Sequence, residues 1–446
     1  MKKIKKLWGL LLIVSLLVGL TAGGVPSQAY SVSSDMKWWT NDKFGMFIHF
    51  GSYSQYGHGE WAMQVEGISK QKYQTTVSAK FNPTKFNATK IVSYAKKAGM
   101  KYLVFTAKHH EGLAMWDTKV ASFTDYTGKK TYSLQKYTPF GSTNRDIIME
   151  LKNACDKAGI KFGLYYSIID WNHPSQTIEG DFTKMKSWSA RTNYIRDMKA
   201  QLKELVDTYD PAILWFDGDW TNRKNNPTLS KWWTKKDGQD LYKYVKSLKK
   251  NILVNERVCR GFGLGDFECP EQSIPAKAPS RPWETCQTMN DAWGYKAEYE
   301  KSYYPASYMI HDLVEVASKS GNYLLNIGPD GTGAMTAGSK KVLSGIGKWM
   351  KKYSKSIYKT SGTPFKKKPT WGRYTKKGKK VYAHVLKWPK NRKVVAQKYK
   401  NKKLKKVYLL QNGKKLKYTV KKNKVTIKVP KKSLYKADTV IVMQYK

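Results

Sequence analysis

Trp215-Phe216-Asp217-Gly218-Asp219-Trp220 closes an apolar run, Pro211-Ala212-Ile213-Leu214, with a carboxylate set between aromatics. A buried strand has no packing use for Asp at its end. A parallel sheet or barrel does, because ligands bind at the carboxyl ends of such strands. Gly218 lets the chain turn there and lets a substrate approach the backbone. The bland alternative is an Asp that caps the next helix. With a second acid opposite it, Asp217 could serve in two-carboxylate glycoside hydrolysis. That second acid is to be found among Glu60, Glu66, Glu111, Glu268, Glu271 and Glu284. Glu271 follows Gly265-Asp266-Phe267-Glu268-Cys269-Pro270, a loop after a strand-like run, where Phe267, Pro270 and Ile274 could raise its pKa as a general acid requires.

The elements that would position these residues repeat. Phe44-Gly45-Met46-Phe47-Ile48 runs into His49, Tyr102-Leu103-Val104-Phe105-Thr106 into Lys108-His109-His110-Glu111, and Phe162-Gly163-Leu164 into Tyr165-Tyr166-Ser167. Ile252-Leu253-Val254 runs into Asn255-Glu256-Arg257, and Tyr323-Leu324-Leu325 into Asn326-Ile327-Gly328. Between them lie helical patterns: Asp146 to Lys157 with Ile147, Ile148, Leu151 and Ala154 on one face and Gly159 as a cap, and Tyr194 to Val206 ahead of Asp217. Short apolar runs alternating with helices indicate βα units and a parallel sheet, here an α/β fold of (β/α)8-like (TIM) barrel type over residues 30–358.

The two ends differ from this core. Lys2, Lys3, Lys5 and Lys6 precede an apolar run from Leu7 to Leu20, and Ser27-Gln28-Ala29 reads as a signal-peptidase site, so residues 1–29 are expected to be a secretory signal peptide of bacterial type. The formal charge is +48, and residues 351–446 hold 33 lysines or arginines against one acid, Asp438. Four strand-like runs, Val381–Leu386, Lys406–Leu410, Val425–Val429 and Thr439–Met443, and a hairpin signal at Gln411-Asn412-Gly413-Lys414 make residues 359–446 a small antiparallel β-sandwich with one apolar and one cationic face. Arginine is scarce there and base readout is poorly served, so specific nucleic-acid binding is not expected. Anionic wall polymers or a membrane surface fit better outside a cell, with a merely solvated lysine coat as the plain reading. No Cys-x-x-Cys or His-Glu-x-x-His spacing is present, so neither a metal nor another cofactor is expected. One disulfide among Cys259, Cys269 and Cys286 is allowed for. Nothing indicates an oligomeric state.

Taken in order, Lys43-Phe44-Gly45-Met46-Phe47-Ile48-His49-Phe50-Gly51, Gly59-Glu60-Trp61, Thr106 to Gly112, Gly163 to Ser167, Leu214 to Gly218, Trp283-Glu284, Trp293-Gly294-Tyr295 and Gly321 to Pro329 resemble the family 29 glycoside hydrolases, the retaining α-L-fucosidases. The resemblance covers nearly the whole chain after the leader. It implies an exo-acting enzyme that hydrolyses terminal α-L-fucose from a fucosylated glycan. Asp217 would be the nucleophile and Glu271 the acid/base, with Glu284 as the alternative. His49, Glu60, Trp61, His109, His110, Tyr166, Trp215 and Arg257 would bind the sugar or line its pocket, Arg257 keeping Asp217 ionised. Glu111 and Phe50 stand where the family usually has Asp and often has Trp, which implies a shift in sugar or aglycone preference. Two other readings remain open: a non-catalytic, wall-associated carbohydrate-binding protein, and a glycosidase or transglycosylase acting on another sugar in the same pocket.

Overall fold

The computed structural model describes residues 32–446 except 179–180, 186, 220–231 and 400–401. The expected leader, residues 1–29, and Trp220 lie outside the described residues. The strands run β1 Phe44–Ile48, β2 Tyr102–Lys108, β3 Lys161–Ser167, a separate hairpin of β4 Gln176–Ile178 and β5 Asp181–Met185, then β6 Ile213–Asp217, β7 Leu253–Val254, β8 Glu284–Gln287 and β9 Asn322–Ile327. All but the hairpin form one parallel sheet of seven strands in the order β7-β6-β3-β2-β1-β9-β8.

The edges of that sheet, β7 and β8, meet through residues 267–271. Asn255 bridges Phe267, Glu268 bridges Trp283 and Glu271 bridges Cys286, all in parallel sense. The Glu256 and Glu284 amides donate to the carbonyls of Phe267 and Glu268, each at 2.9 Å. This segment therefore occupies the eighth place in the ring and closes the barrel. It stays irregular in part because Pro270 has no amide hydrogen to give to a ladder. The fold is thus a (β/α)8-type barrel with one degenerate strand.

Alternation along the strands sorts side chains between two environments. Phe47, Val104, Tyr165, Trp215, Leu253, Phe267, Cys286 and Leu324 fill the barrel. Ile48, Phe105, Tyr166, Leu214, Phe216 and Leu325 face the surrounding helices. The helix Ile147–Ala158 starts on an Asp146 cap, whose carboxylate accepts from the amides of Ile148 and Met149, and ends on Gly159 at φ 69°. The helix expected to begin at Tyr194 spans Trp188–Tyr209. The run Glu284–Gln287, not recognised as a strand from sequence, is fully buried in the sheet.

The chain then builds β10 Gly372–Lys377, β11 Lys380–Val385, β12 Lys393–Gln397, β13 Leu404–Leu409, β14 Tyr418–Lys421, β15 Lys424–Lys428 and β16 Thr439–Tyr445. The order β10-β11-β16-β13 forms one antiparallel sheet and β12-β15-β14 another. Val381, Ala383, Ile441 and Met443 face Val394, Val425 and Ile427 across the sandwich. The first sheet is not cationic on its other face, as alternation had suggested. Tyr382, Val440 and Val442 pack into the barrel's helices, and Trp349 Nε1 donates to the Asp438 carbonyl at 3.2 Å. Lys393, Lys421, Lys424 and Lys428 are exposed on the outer face of the three-stranded sheet, and the first sheet exposes Lys377, Lys405 and Lys406 along its strands.

Candidate active site

Asp217 ends β6 directly beside Ser167 of β3 and faces into the barrel mouth on the same side of its strand as Trp215. Arg257 Nη1 and Arg260 Nη2 approach its Oδ1 at 2.9 and 3.1 Å. Tyr165 donates its hydroxyl to Oδ2 at 3.3 Å, and His110 Nε2 lies 3.8 Å from the same oxygen. Burial alone would raise the carboxyl's pKa, but Arg257, His110 and Arg260 outweigh it and hold the group at about 2. Arg260 is itself steered by Asp219, which accepts from its backbone amide at 2.5 Å and from Nε at 2.8 Å.

Arg257 is shared. Its Nη1 holds Asp217, and its Nη2 donates to Glu271 Oε2 at 2.7 Å. The guanidinium lies over the Trp215 ring, 4.6 Å from its centroid, and Trp215 stacks on Tyr165 at 5.7 Å. Trp215, 1 % exposed, is thus the floor beneath the arginine. Glu271 sits at the end of the degenerate eighth strand with its side chain 40 % exposed, and so can reach both pocket and solvent. Glu284 cannot. It is wholly buried inside the barrel, where it accepts from Tyr102 at 2.5 Å and from Trp215 Nε1 at 3.2 Å, and burial raises its pKa to about 7.

The histidines are held as neutral acceptors. Ser167 gives its hydroxyl hydrogen to the Ile169 carbonyl at 2.6 Å, so the 2.7 Å contact with His110 Nδ1 requires Nδ1–H to donate. Nε2 is then an acceptor turned toward Asp217. His49 follows the same logic. Its Nδ1 donates to Asn326 Oδ1 at 2.7 Å, because Asn326 directs its amide nitrogen to the Trp293 carbonyl. Burial lowers His49 to about 3 and His110 to about 4, and His109 also moves well down. Although adjacent in sequence, His109 and His110 bring their ring centroids within 4.1 Å, because they lie in the turn beyond β2, where strand alternation no longer applies. His109 stacks on Tyr165 at 5.4 Å.

Glu60 accepts from the Gly294 amide at 2.8 Å, and Trp61 meets His110 edge-on at 5.5 Å. Nine of the ten residues singled out from sequence surround this mouth or support its floor. Tyr166 does not. It points to the helix side of β3, where its hydroxyl donates to Gln201 at 2.7 Å. The period of two puts Tyr165 in the pocket instead. Arg260 and Trp293, 5.0 Å from His49, were also not selected from sequence. Glu111 and Phe50 lie behind the pocket rather than in it: Glu111 accepts from Ser52 at 3.2 Å, and Phe50 packs on Phe81 and Phe86. No disulfide joins Cys259, Cys269 and Cys286 to one another, and all three are buried.

An ionised carboxylate and a second, partly exposed carboxylate sharing one arginine, at the C-terminal mouth of a (β/α)8 barrel lined with hydroxyl-accepting groups, define a glycoside hydrolase. Comparison with known proteins makes this specific. Residues 26–355 match the alpha-L-fucosidase family model, and residues 366–445 match the alpha-L-fucosidase C-terminal domain. Bovine tissue alpha-L-fucosidase is 30 % identical over 376 residues, covering 79 % of this chain and 75 % of that protein. The alpha-L-fucosidase isoenzyme 1 of Paenibacillus thiaminolyticus superposes with TM-score 0.81 at 31 % identity, over 93 % of this chain and 99 % of that one. A Bacteroides thetaiotaomicron GH29 alpha-L-fucosidase, solved as a trapped covalent intermediate with 2-fluoro-fucosyl fluoride, superposes with TM-score 0.81 at 27 % identity, over 95 % and 98 %. The chain belongs to the α-L-fucosidase family, glycoside hydrolase family 29.

Proposed function

We propose that the protein is an exo-acting, retaining α-L-fucosidase working by double displacement. Asp217 attacks the anomeric carbon while Glu271 protonates the departing oxygen. Glu271, now a carboxylate, then takes a proton from water as the water displaces fucose from Asp217. The observation that carries this is Arg257, which keeps Asp217 ionised and holds Glu271 at the same gap. The covalent intermediate trapped in the Bacteroides relative supports the same route. His49 Nε2, His110 Nε2 and Glu60 would accept fucose hydroxyl hydrogens. A non-catalytic binding protein would have no use for a nucleophile held ionised by two arginines.

Residues 1–29 would direct secretion, and the lysines of the outer C-terminal sheet would hold the enzyme on anionic wall polymers. The direct test is hydrolysis of 4-nitrophenyl α-L-fucoside followed by proton NMR, with Asp217→Ala beside it. The reading expects release of the α-anomer first and a fall in kcat of roughly 10³-fold or more in the variant. First-formed β-fucose, or an Asp217→Ala enzyme with normal turnover, would refute it. Adsorption to teichoic-acid-bearing walls should fall steeply with salt if the lysine face is what binds.

A further inference from the structure

Cys269 and Cys286 take no part in the double displacement, yet they sit where its two carboxylates are joined. Both belong to the layer of side chains that fills the barrel, at 4 % and 1 % exposed. Cys269 lies on the irregular eighth segment two residues before Glu271, and Glu271 bridges Cys286 of β8. The two thiols therefore face one interior from neighbouring segments, and their side chains interact. Arg257 touches both residues. Its Nη2, which holds Glu271, also donates to the Cys269 carbonyl at 3.3 Å and lies 3.9 Å from Cys286 Sγ. Asn255 Nδ2 stands 3.6 Å from Cys269 Sγ, and Cys286 Sγ is 4.0 Å from the Pro270 carbonyl oxygen. The other two cysteines lie elsewhere: Cys155 is in the helix Ile147–Ala158, and Cys259 packs against Gly238.

The register decides what a bond between them would do. Glu271 is opposite Cys286, so Cys269 is offset from Cys286 by two positions on the same face. Strands about 4.8 Å apart with a rise of about 3.3 Å per residue put such a pair about 8 Å apart between Cα atoms. A disulfide holds its Cα atoms at about 5.5–6 Å, so the two segments must close by roughly 2 Å. The eighth segment is the one that gives. Cys286 is anchored in β8, which pairs with β9 along its length, whereas residues 267–271 are held by single bridges. Pro270 stands between Cys269 and Glu271 with its φ fixed by the ring, so a displacement of Cys269 passes to Glu271 and takes it off Arg257.

We propose that Cys269 and Cys286 are an oxidisable pair, a modification site at which a peroxide forms a disulfide that withdraws Glu271 from Arg257 and stops turnover until a thiol reduces it. Burial pushes the Cys286 thiol well up, so Cys269 reacts first. Its thiolate sulfur attacks one peroxide oxygen, the O–O bond breaks, and the hydroxide released takes up the thiol proton as water. The Cys286 sulfur then displaces hydroxide from the sulfenic acid on Cys269, and that hydroxide leaves as water with the Cys286 thiol proton. Two thiols and one hydrogen peroxide thus give one disulfide and two waters. The effect on turnover rests on the role of Glu271 given above; the bond itself does not. The test treats the whole, pre-reduced protein with hydrogen peroxide and removes the excess with catalase. Mass spectrometry of a non-reduced digest should show the Cys269 and Cys286 peptides joined, with two hydrogens lost. Activity, as kcat/KM on an alkyl α-L-fucoside, whose departing oxygen needs its proton, should fall at least tenfold and return with dithiothreitol. Cys269→Ser and Cys286→Ala, each read against its own untreated rate, should keep more than half of it after peroxide. Failure of the two peptides to join, a bond to Cys259 in their place, a joined pair that turns over normally, or equal losses in wild type and both variants would overturn the proposal. If the untreated enzyme leaves every fucoside intact, the fucosidase assignment falls, while the mass spectrum still decides whether the pair forms.

Discussion

At the residue scale the site depends on one guanidinium doing two jobs. Arg257 presents separate nitrogens to Asp217 and Glu271 while its plane rests on Trp215. A lysine offers a point charge in place of that flat fork. Arg257→Lys should therefore lower kcat/KM by about 10²-fold while leaving the circular dichroism spectrum unchanged. A loss below threefold would mean that Arg260 suffices. The histidines set a pH limit. His110 accepts through Nε2 only while neutral, and burial puts its pKa at about 4. As pH falls through about 4, Nε2 gains a proton and can no longer accept a sugar hydroxyl. The acid limb of kcat/KM should lie there, and not near 2 where Asp217 titrates. His110→Asn should move or abolish that limb.

At the scale of elements, the eighth barrel position decides where Glu271 goes. Gly265 introduces that segment at φ 73°, with its missing Cβ only 2.5 Å from the Asn255 carbonyl oxygen. Asn255 is in turn tied to β6 through the Phe216 amide and carbonyl, at 2.8 and 2.9 Å. Gly265→Ala would add both backbone strain and a clash, costing about 1–3 kcal/mol. The segment should shift and carry Glu271 off Arg257. We expect a lowered urea midpoint together with at least a tenfold loss on substrates with poor leaving groups, and a smaller loss on aryl fucosides, which need less protonation. Element scale is also where sequence reading went furthest astray. Tyr165 and Tyr166 are the same residue type side by side, and only the strand's register says which one points inward. Residues 267–271 lack a strand's pattern because Pro270 breaks the ladder, and the Glu284 run was masked by its charged first residue.

For the whole molecule, burial of acids gives stability a pH dependence. Glu111 lies fully buried behind the pocket, and burial pushes its carboxyl up to about 8; Glu284 rises to about 7 for the same reason. Carboxyls raised in the folded state bind protons that the unfolded chain has already released. Each of these two groups should therefore take stability away as pH rises from about 5 to 7, by at most about 1.4 kcal/mol per unit, while His49, His109 and His110, lowered by burial, add stability up to about pH 6.5, where an unfolded histidine loses its proton. Lys43, lowered by burial to about 7, acts in the opposite direction only above that pH. Between pH 5 and 7 the urea midpoint of Glu111→Gln should rise relative to that of wild type, because the variant loses this one opposing group and keeps the others. A parallel course of the two proteins would place the effect in other groups. The lysine-rich sheets share this scale, since one of them is spent on the barrel: Tyr382, Val440 and Val442 pack there, and the buried pair His384–Asp438 lies at that junction at 2.7 Å.

The sequence alone determined the barrel class, the C-terminal β-domain and most of the pocket. Strand-end motifs are local, and each carries its chemistry within a few residues: Asp217 after its apolar run, His49 after another, and His109 and His110 after a third. What it left open was decided by contacts between distant segments. Arg257 meets Asp217 across 40 positions and Glu271 across 14, and His49 is oriented by Asn326 from 277 positions away. Only closure of the ring put Glu271 in the mouth and Glu284 in the core. Two glutamates 13 residues apart in sequence are chemically alike until tertiary structure gives one of them an arginine and solvent, and surrounds the other with aromatic rings.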